Sequence, residues 1–309
     1  MSALLEVILP VFLVIGFGYG ARALLKTPDI LFEGAMGFAQ AFAFPVLLFR
    51  GISQLDLGQT FDPFMLTAFY TGVVAGFFAG LFGARFLFGR AWPDSVAVAF
   101  ATAFSNGGLL GLPITERAYG VEALSYNFAI IAFHAPFVYL LATTAMEIVR
   151  ADGRSVVATV ASVVRAMAKN PMLIGIVLGA LWNVGGLVMP SPMASAVDLV
   201  AGAAIPTALF GLGGILAAYR PEGDLRLVAW IAAVSLLMHP ALTYGLGHAF
   251  SLSDGAIRSS VLMAAMAPGV NAYVFASLYG VAKRVAATAV LIGTAASLIT
   301  AWGWLAVLG

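Results

Sequence analysis

Residues 105–114 read SNGGLLGLPI and residues 263–280 read MAAMAPGVNAYVFASLYG. Each stretch sets an asparagine, Asn106 or Asn271, beside glycine and a proline, Pro113 or Pro268, within a long uncharged run. A side-chain amide donates and accepts, so it can orient a carboxylate or replace a missing backbone partner. Proline removes a backbone donor and crowds the preceding turn, and each glycine weakens a helix by about 1 kcal/mol. In lipid, such breaks survive only where protein or a water-filled cavity satisfies the exposed backbone. A kinked helix whose glycines serve close packing would explain either stretch alone. The matched pair predicts two helices unwound at mid-depth and crossing there.

That arrangement points to a ligand type. Pro113 and Pro268 are expected near the first position of an outgoing half-helix, where proline is well tolerated. Each half-helix would aim the positive end of its dipole, about half an elementary charge, at the crossing. Free N–H groups at such ends bind carboxylates. No Lys or Arg occurs between Asp94 and Glu116 or between Arg258 and Lys283, which leaves helix ends as the anion-binding device. The expected substrate site is Asn106, Gly108, Gly111, Pro113, Pro268 and Asn271, with Gln40 added from a third proline-bearing stretch.

The elements that must carry these residues are membrane helices. The chain has 309 residues, 62% hydrophobic and 9% charged, against about 25% charged in soluble domains. A net charge of +1 gives no reason to expect nucleic acid. The lack of cysteine excludes disulfides, thiolate metal sites and cysteine nucleophiles. The opening MSALLEVILP has no basic region and carries Glu6, so it reads as the entry to a first span. At about 20 apolar residues per span, ten segments are expected: 4–25, 30–50, 63–86, 94–120, 122–148, 170–189, 193–219, 226–250, 254–281 and 284–307. The connector from Arg150 to Lys169 reads equally as a surface amphipathic helix or a basic loop.

Connectors after the odd-numbered spans hold 12 of the 15 Lys and Arg residues; only Arg50, Arg117 and Arg258 lie opposite. The bias puts those connectors in the cytoplasm and both termini outside. FAFPVLLFRGI (42–52) and AAIPTALFGLGG (203–214) align Pro45 with Pro206 and Phe49 with Phe210. With the broken fourth and ninth spans, this suggests a five-span unit repeated in inverted orientation, as secondary transporters are built. The expected division is 1–149 and 170–309 as the repeats, joined by 150–169, with scaffold and transport subdomains interleaved across both.

Other polar residues divide between function and packing. His134 and His239 sit mid-span, and Glu116 is the carboxylate nearest the fourth-span break. All three are candidates for proton coupling, although a neutral histidine bonded to a neighbouring helix is the commoner outcome and Glu116–Arg117 reads as a solvated pair. Asp29, Glu33, Glu147 and Asp198 fall near span ends and read as interfacial, and Arg50 reads as snorkelling to headgroups. The histidines lack metal-ligand spacing, no GxSxG is present, and no nucleophile–base set emerges.

The run from Asn106 to Pro113 resembles the N-x-G-x-x-G-x-P signature of the auxin efflux carrier family, and Pro268 to Gly280 is similar to that family's second crossover motif. The resemblance extends to the ten-span layout. It implies an all-α fold shared with bile-acid sodium symporters, alternating access, organic-anion substrates such as mono- or dicarboxylates, and a homodimer. It places Asn106, Pro113, Pro268 and Asn271 on the crossover. The long hydrophilic loop of many plant members is absent, so the chain looks like the short bacterial form of the inner membrane. The charge that members often carry before the Tyr-Gly of the ninth span is replaced by Ser277 and Leu278, so no coupling role transfers from it. The expected function is a secondary carrier with no cofactor beyond a coupling H+ or Na+; the alternatives are an intramembrane enzyme and a channel or sensor.

Overall fold

The structure is a computed structural model, and it describes residues 2–55, 62–150, 161, 164–165 and 168–309. Most of the connector from Arg150 to Lys169 lies outside the described residues, and with it both readings of that connector. The described chain is helical. In order the helices are α1 (Ser2–Ala23), α2 (Asp29–Ser53), α3 (Pro63–Leu87), α4 (Trp92–Ala103), α5 (Leu112–Tyr119), α6 (Leu124–Arg150), α7 (Pro171–Val184), α8 (Ser191–Ala218), α9 (Leu225–Ala249), α10 (Asp254–Ala264), α11 (Asn271–Tyr279) and α12 (Lys283–Leu308). Seven stretches among the described residues are long and apolar enough to cross a membrane: α1 from Glu6, α2, α3, α6 extended back to Val121, α8, α9 and α12. α7 is a shorter apolar helix. The fourth and ninth expected spans are each interrupted, as α4 then α5 and α10 then α11. This is an all-helical integral membrane protein.

Local sequence sets where the helices start. Asp62 accepts from the N–H of Phe64 (2.8 Å) and Met65 (3.2 Å) ahead of Pro63, and Asn170 accepts from Met172 (2.9 Å) ahead of Pro171. Asp224 and Ser253 cap α9 and α10 in the same way. Three π turns, Ala39–Ala43, Gly107–Gly111 and Val234–Met238, each end two residues before a proline: Pro45, Pro113 and Pro240. The residue between donates five back, Phe44 to Ala39, Leu112 to Gly107 and His239 to Val234. The wider turn accommodates a ring that has no N–H to give and would otherwise collide with the carbonyl four residues earlier.

The chain forms two compact units, each drawing on both halves of the sequence. One comprises residues 9–61 and 165–218. Within it α1 and α8 approach so closely that a Cβ on Gly213 would lie 1.9 Å from the Ile15 carbonyl oxygen, the small-residue packing expected between membrane helices. Arg50 pairs with Asp198 there, so its guanidinium is held by a carboxylate instead of reaching for headgroups. Arg22 pairs with Asp29 at 2.7 Å and also donates to the Gly214 carbonyl.

The other unit comprises residues 1–8, 62–164 and 219–309. It contains both interrupted segments. A ridge of glycines on α3 lets its neighbours in: a Cβ on Gly72 would lie 2.5 Å from the His239 ring of α9, and one on Gly80 would lie 2.2 Å from Thr102 Oγ1 of α4. At one end of this unit, Arg90 donates to Asp224 at 2.8 Å.

Candidate functional site

The two interruptions meet. The N–H of Asn106 donates to the Ala267 carbonyl at 2.8 Å, and the N–H of Gly269 donates to the Phe104 carbonyl at 3.0 Å. Ser105 and Pro268 form an antiparallel bridge between them. The unwound segments thus satisfy part of each other's backbone, the requirement that broken helices face within lipid. Gly269 has a structural reason to be glycine, since a Cβ would lie 3.1 Å from the Phe104 ring.

Beyond the bridge the outgoing helices begin earlier or later than the prolines. Winding resumes at Gly107 with the π turn, so Pro113 lies inside the outgoing helix and does not open it. Leu110 and Gly111 donate to the Asn106 carbonyl at 3.0 and 3.3 Å, while the N–H groups of Gly107, Gly108 and Leu109 find no backbone acceptor among the described residues. Pro268 is a member of the bridge itself, three residues ahead of α11. There the N–H groups of Val270 and Asn271 have no backbone acceptor among the described residues. The positive helix ends are therefore at Gly107–Leu109 and Val270–Asn271. α4 and α10 bring carboxyl-terminal ends to the same place, carbonyls that the sequence patterns did not draw attention to.

The site residues sort by what they touch. Asn106 is 6% exposed, and its Nδ2 is buried without a hydrogen-bond partner among the described residues. Asn271 accepts through Oδ1 from the Tyr139 hydroxyl of α6 at 3.4 Å. The three glycines of the fourth span do different work. A Cβ on Gly107 or Gly111 would strike Met263 of α10, at 2.3 Å from Cε and 2.5 Å from Sδ, whereas one on Gly108 would meet nothing within 4 Å. Gly108 therefore borders open space two residues along the chain from Asn106, and Gly111 serves packing. Gln40 is exposed on the π turn of α2, in the other unit.

The two mid-span histidines differ. His239 Nε2 lies 3.3 Å from the Phe69 carbonyl, a tie to the neighbouring helix. His134 Nε2 lies 3.4 Å from the Ser105 hydroxyl in the bridge, and its Nδ1 is buried with no partner among the described residues. Glu116 and Arg117 do not form a pair: Arg117 donates to the Val7 and Glu6 carbonyls at 3.0 and 2.8 Å. Glu147 buries one carboxylate oxygen without a partner among the described residues. Nearby in sequence, Arg150 donates to the Tyr279 carbonyl at the end of α11 and lies over its ring at 5.0 Å.

Ser105 and Tyr139 carry no motif that marks them. Tyr139 is 132 residues from Asn271, and only folding joins them. The same holds for the stack of Phe100 on Phe275, with centroids 4.4 Å apart, which walls α4 against α11. Among the described residues no three His, Asp or Glu side chains converge to hold a metal ion.

The family described as Membrane transport protein matches residues 3–305. A Rhizobium meliloti protein named "Putative malonate transporter" is 27% identical over 99% of this chain and 96% of its own. The Escherichia coli protein named "Uncharacterized transporter YfdV" is 24% identical over 85% of this chain and 84% of its own. Arabidopsis thaliana "Auxin efflux carrier component 1" is 26% identical over 42% of this chain and 22% of its own.

Proposed function

This chain belongs to the auxin efflux carrier family of membrane transport proteins, and from that premise we propose that it is a secondary carrier of small organic anions, mono- or dicarboxylates, held at the paired helix breaks. It is a membrane transporter; its relatives are named as transporters and carriers, not as enzymes. The observation that carries the substrate class is the pairing of two positive helix ends, Gly107–Leu109 and Val270–Asn271, beside the buried unpartnered amide of Asn106. With no Lys or Arg between Asp94 and Glu116 or between Arg258 and Lys283, those N–H groups and the two amides are donors available to a carboxylate. Gly108 leaves room for it. A relative named for malonate is consistent with a small dicarboxylate.

The finer architecture belongs to the same reading. Counting α4–α5 and α10–α11 as one interrupted span each gives ten crossings, arranged as two inverted repeats of five. The Lys and Arg bias favours both termini outside, and the family resemblance favours a bacterial inner-membrane protein working by alternating access and assembled as a homodimer. Uptake of labelled carboxylates, malonate included, into proteoliposomes tests the function. Saturable uptake of one of them is expected. Uptake that rises linearly with concentration would indicate a channel, and no uptake of any carboxylate under any ion gradient would refute the anion reading.

A further inference from the structure

Of the two mid-span histidines, His134 is the one that touches the helix crossing. It reaches from α6 to the hydroxyl of Ser105, the residue next to Asn106 and a member of the bridge. Its ring is closed in by Phe104 at 5.0 Å and Phe69 at 5.6 Å between centroids. Its other nitrogen, Nδ1, is buried and unpartnered among the described residues. A neutral imidazole offers one donor and one acceptor, and leaving either unpaired in a dry site is costly. His239 lacks this tension, being tied to the Phe69 carbonyl.

We infer that His134 binds a proton that crosses the membrane together with the carboxylate, so that each anion moves with one proton and carries one fewer net negative charge. The inference rests on the reading of the crossing as a carboxylate site. A serine hydroxyl turns from donor to acceptor by rotation, so the Ser105 contact survives when the ring gains a proton. The ring takes the proton from water on the loading side as the anion enters, and returns it to water on the other side as the anion leaves. On loading an N–H bond forms as an O–H bond of a hydrated proton breaks, and on release the reverse occurs; no other bond changes.

The surroundings make the carboxylate the natural countercharge. Titratable groups around the ring include His239 of α9, which also packs on Phe69; Tyr70 of α3, whose ring lies 6.4 Å away and whose hydroxyl donates to the Ile130 carbonyl; and Tyr139 of α6, bonded to Asn271. The charged residues of α10, Asp254 and Arg258, lie in its first two turns, and Arg258 sits over the Tyr119 ring; Asp94 lies in the first turn of α4 and accepts from the Ala282 N–H at 2.9 Å, and Glu116 and Arg117 lie in the second turn of α5, where Arg117 donates to the Glu6 and Val7 carbonyls. None of these supplies a carboxylate to a protonated His134. An anion at the crossing does, and opposite charges about 4–6 Å apart favour each other's presence roughly tenfold to a thousandfold. The effect is reciprocal, so a proton on His134 tightens anion binding by the same factor.

The test is calorimetry of malonate binding to detergent-purified protein in buffers of different ionisation enthalpy, between about pH 6 and pH 8.5. Wild type is expected to take up about one proton per malonate, after correction for malonate's own titration, and to bind more tightly as pH falls. His134→Gln is expected to bind malonate with no proton uptake by the protein, while a His248→Gln protein, altered where the His248 ring meets Tyr244 edge-on, behaves as wild type. Proton uptake retained in His134→Gln, or malonate binding by wild type without protons, overturns the inference and leaves the carboxylate site standing. Wild type that binds no carboxylate removes the site and this inference together. Should His134→Gln fail to fold, Ser105→Ala serves: it keeps the imidazole, so proton uptake should persist with the pH of tightening displaced. An undisplaced profile overturns the proposal.

Discussion

Alanine at Gly108 and at Gly111 should separate the site from its packing. At Gly111 the new Cβ would lie 2.5 Å from Met263 Sδ, inside contact distance in a region where Met263 is 1% exposed. Overpacking of that kind costs about 1–3 kcal/mol, partly offset by the roughly 1 kcal/mol that alanine gains over glycine in a helix. The net is a loss of up to about 2 kcal/mol. Met263→Ala in the same chain should relieve the collision, so the double variant should lose less than the sum of the singles by about 1 kcal/mol or more. At Gly108 the Cβ meets nothing within 4 Å, so the helix gains and stability holds or rises by up to about 1 kcal/mol. Transport should respond the other way. The methyl enters the open space just along the chain from Asn106, where the carboxylate is placed, and should raise KM for uptake about tenfold, as about 1.4 kcal/mol of lost contact does. Thermal unfolding in detergent and initial rates in proteoliposomes read the two quantities separately. A Gly108→Ala protein of normal stability and unchanged KM would refute the placement of the substrate, and a destabilised one would refute the open space.

Asn271→Ala should reduce uptake severely with little change in Tm, whereas Tyr139→Phe, which removes the 3.4 Å hydrogen bond to Asn271, should reduce it several-fold; equal, full activity of Asn271→Ala and His248→Ala in proteoliposomes would count against the crossing as the site. The Arg50–Asp198 pair is part-exposed on both sides, so a double-mutant cycle on thermal stability should give a coupling of no more than about 1 kcal/mol, and a value several times larger would mean the pair is more enclosed than it stands here. Asp224 is subject to burial, which opposes its ionisation, but the Arg90 hydrogen bond and the N–H groups of Leu227 and Arg226 outweigh this and hold its carboxyl below the usual range. Its stabilising effect is thus present above the unfolded-state value of about 3.9 and lost as pH falls further. Wild type and Asp224→Ala should therefore differ in Tm at neutral pH and converge below about pH 4, and a gap that stays constant with pH would rule out the ion pair as its source.

Composition alone determined the solvent: 62% hydrophobic and 9% charged residues leave only a membrane protein, because apolar runs of this length have nowhere else to be buried. The positions of the breaks were legible too. Asn, Gly and Pro at mid-span act locally, and local backbone chemistry is what sequence records best, so the fourth and ninth spans broke near Asn106 and Pro268 as their residues indicated. What the prolines do was not legible. Pro113 lies within a helix that starts at Gly107, because a π turn gives its ring room, and Pro268 enters a bridge with Ser105; both outcomes depend on how the second segment meets the first. Glycines that look alike in a row proved unlike, since Met263 lies against Gly107 and Gly111 but not Gly108. Likewise nothing in the residues around His134 and His239 says that one rests on a backbone carbonyl and the other on Ser105. Arg117 turned from its neighbour Glu116 to the Glu6 and Val7 carbonyls, some 110 residues away. The pattern along the chain sets which backbone groups are left unpaired at mid-depth. Only tertiary packing decides which partners reach them, because those partners come from helices more than a hundred residues apart.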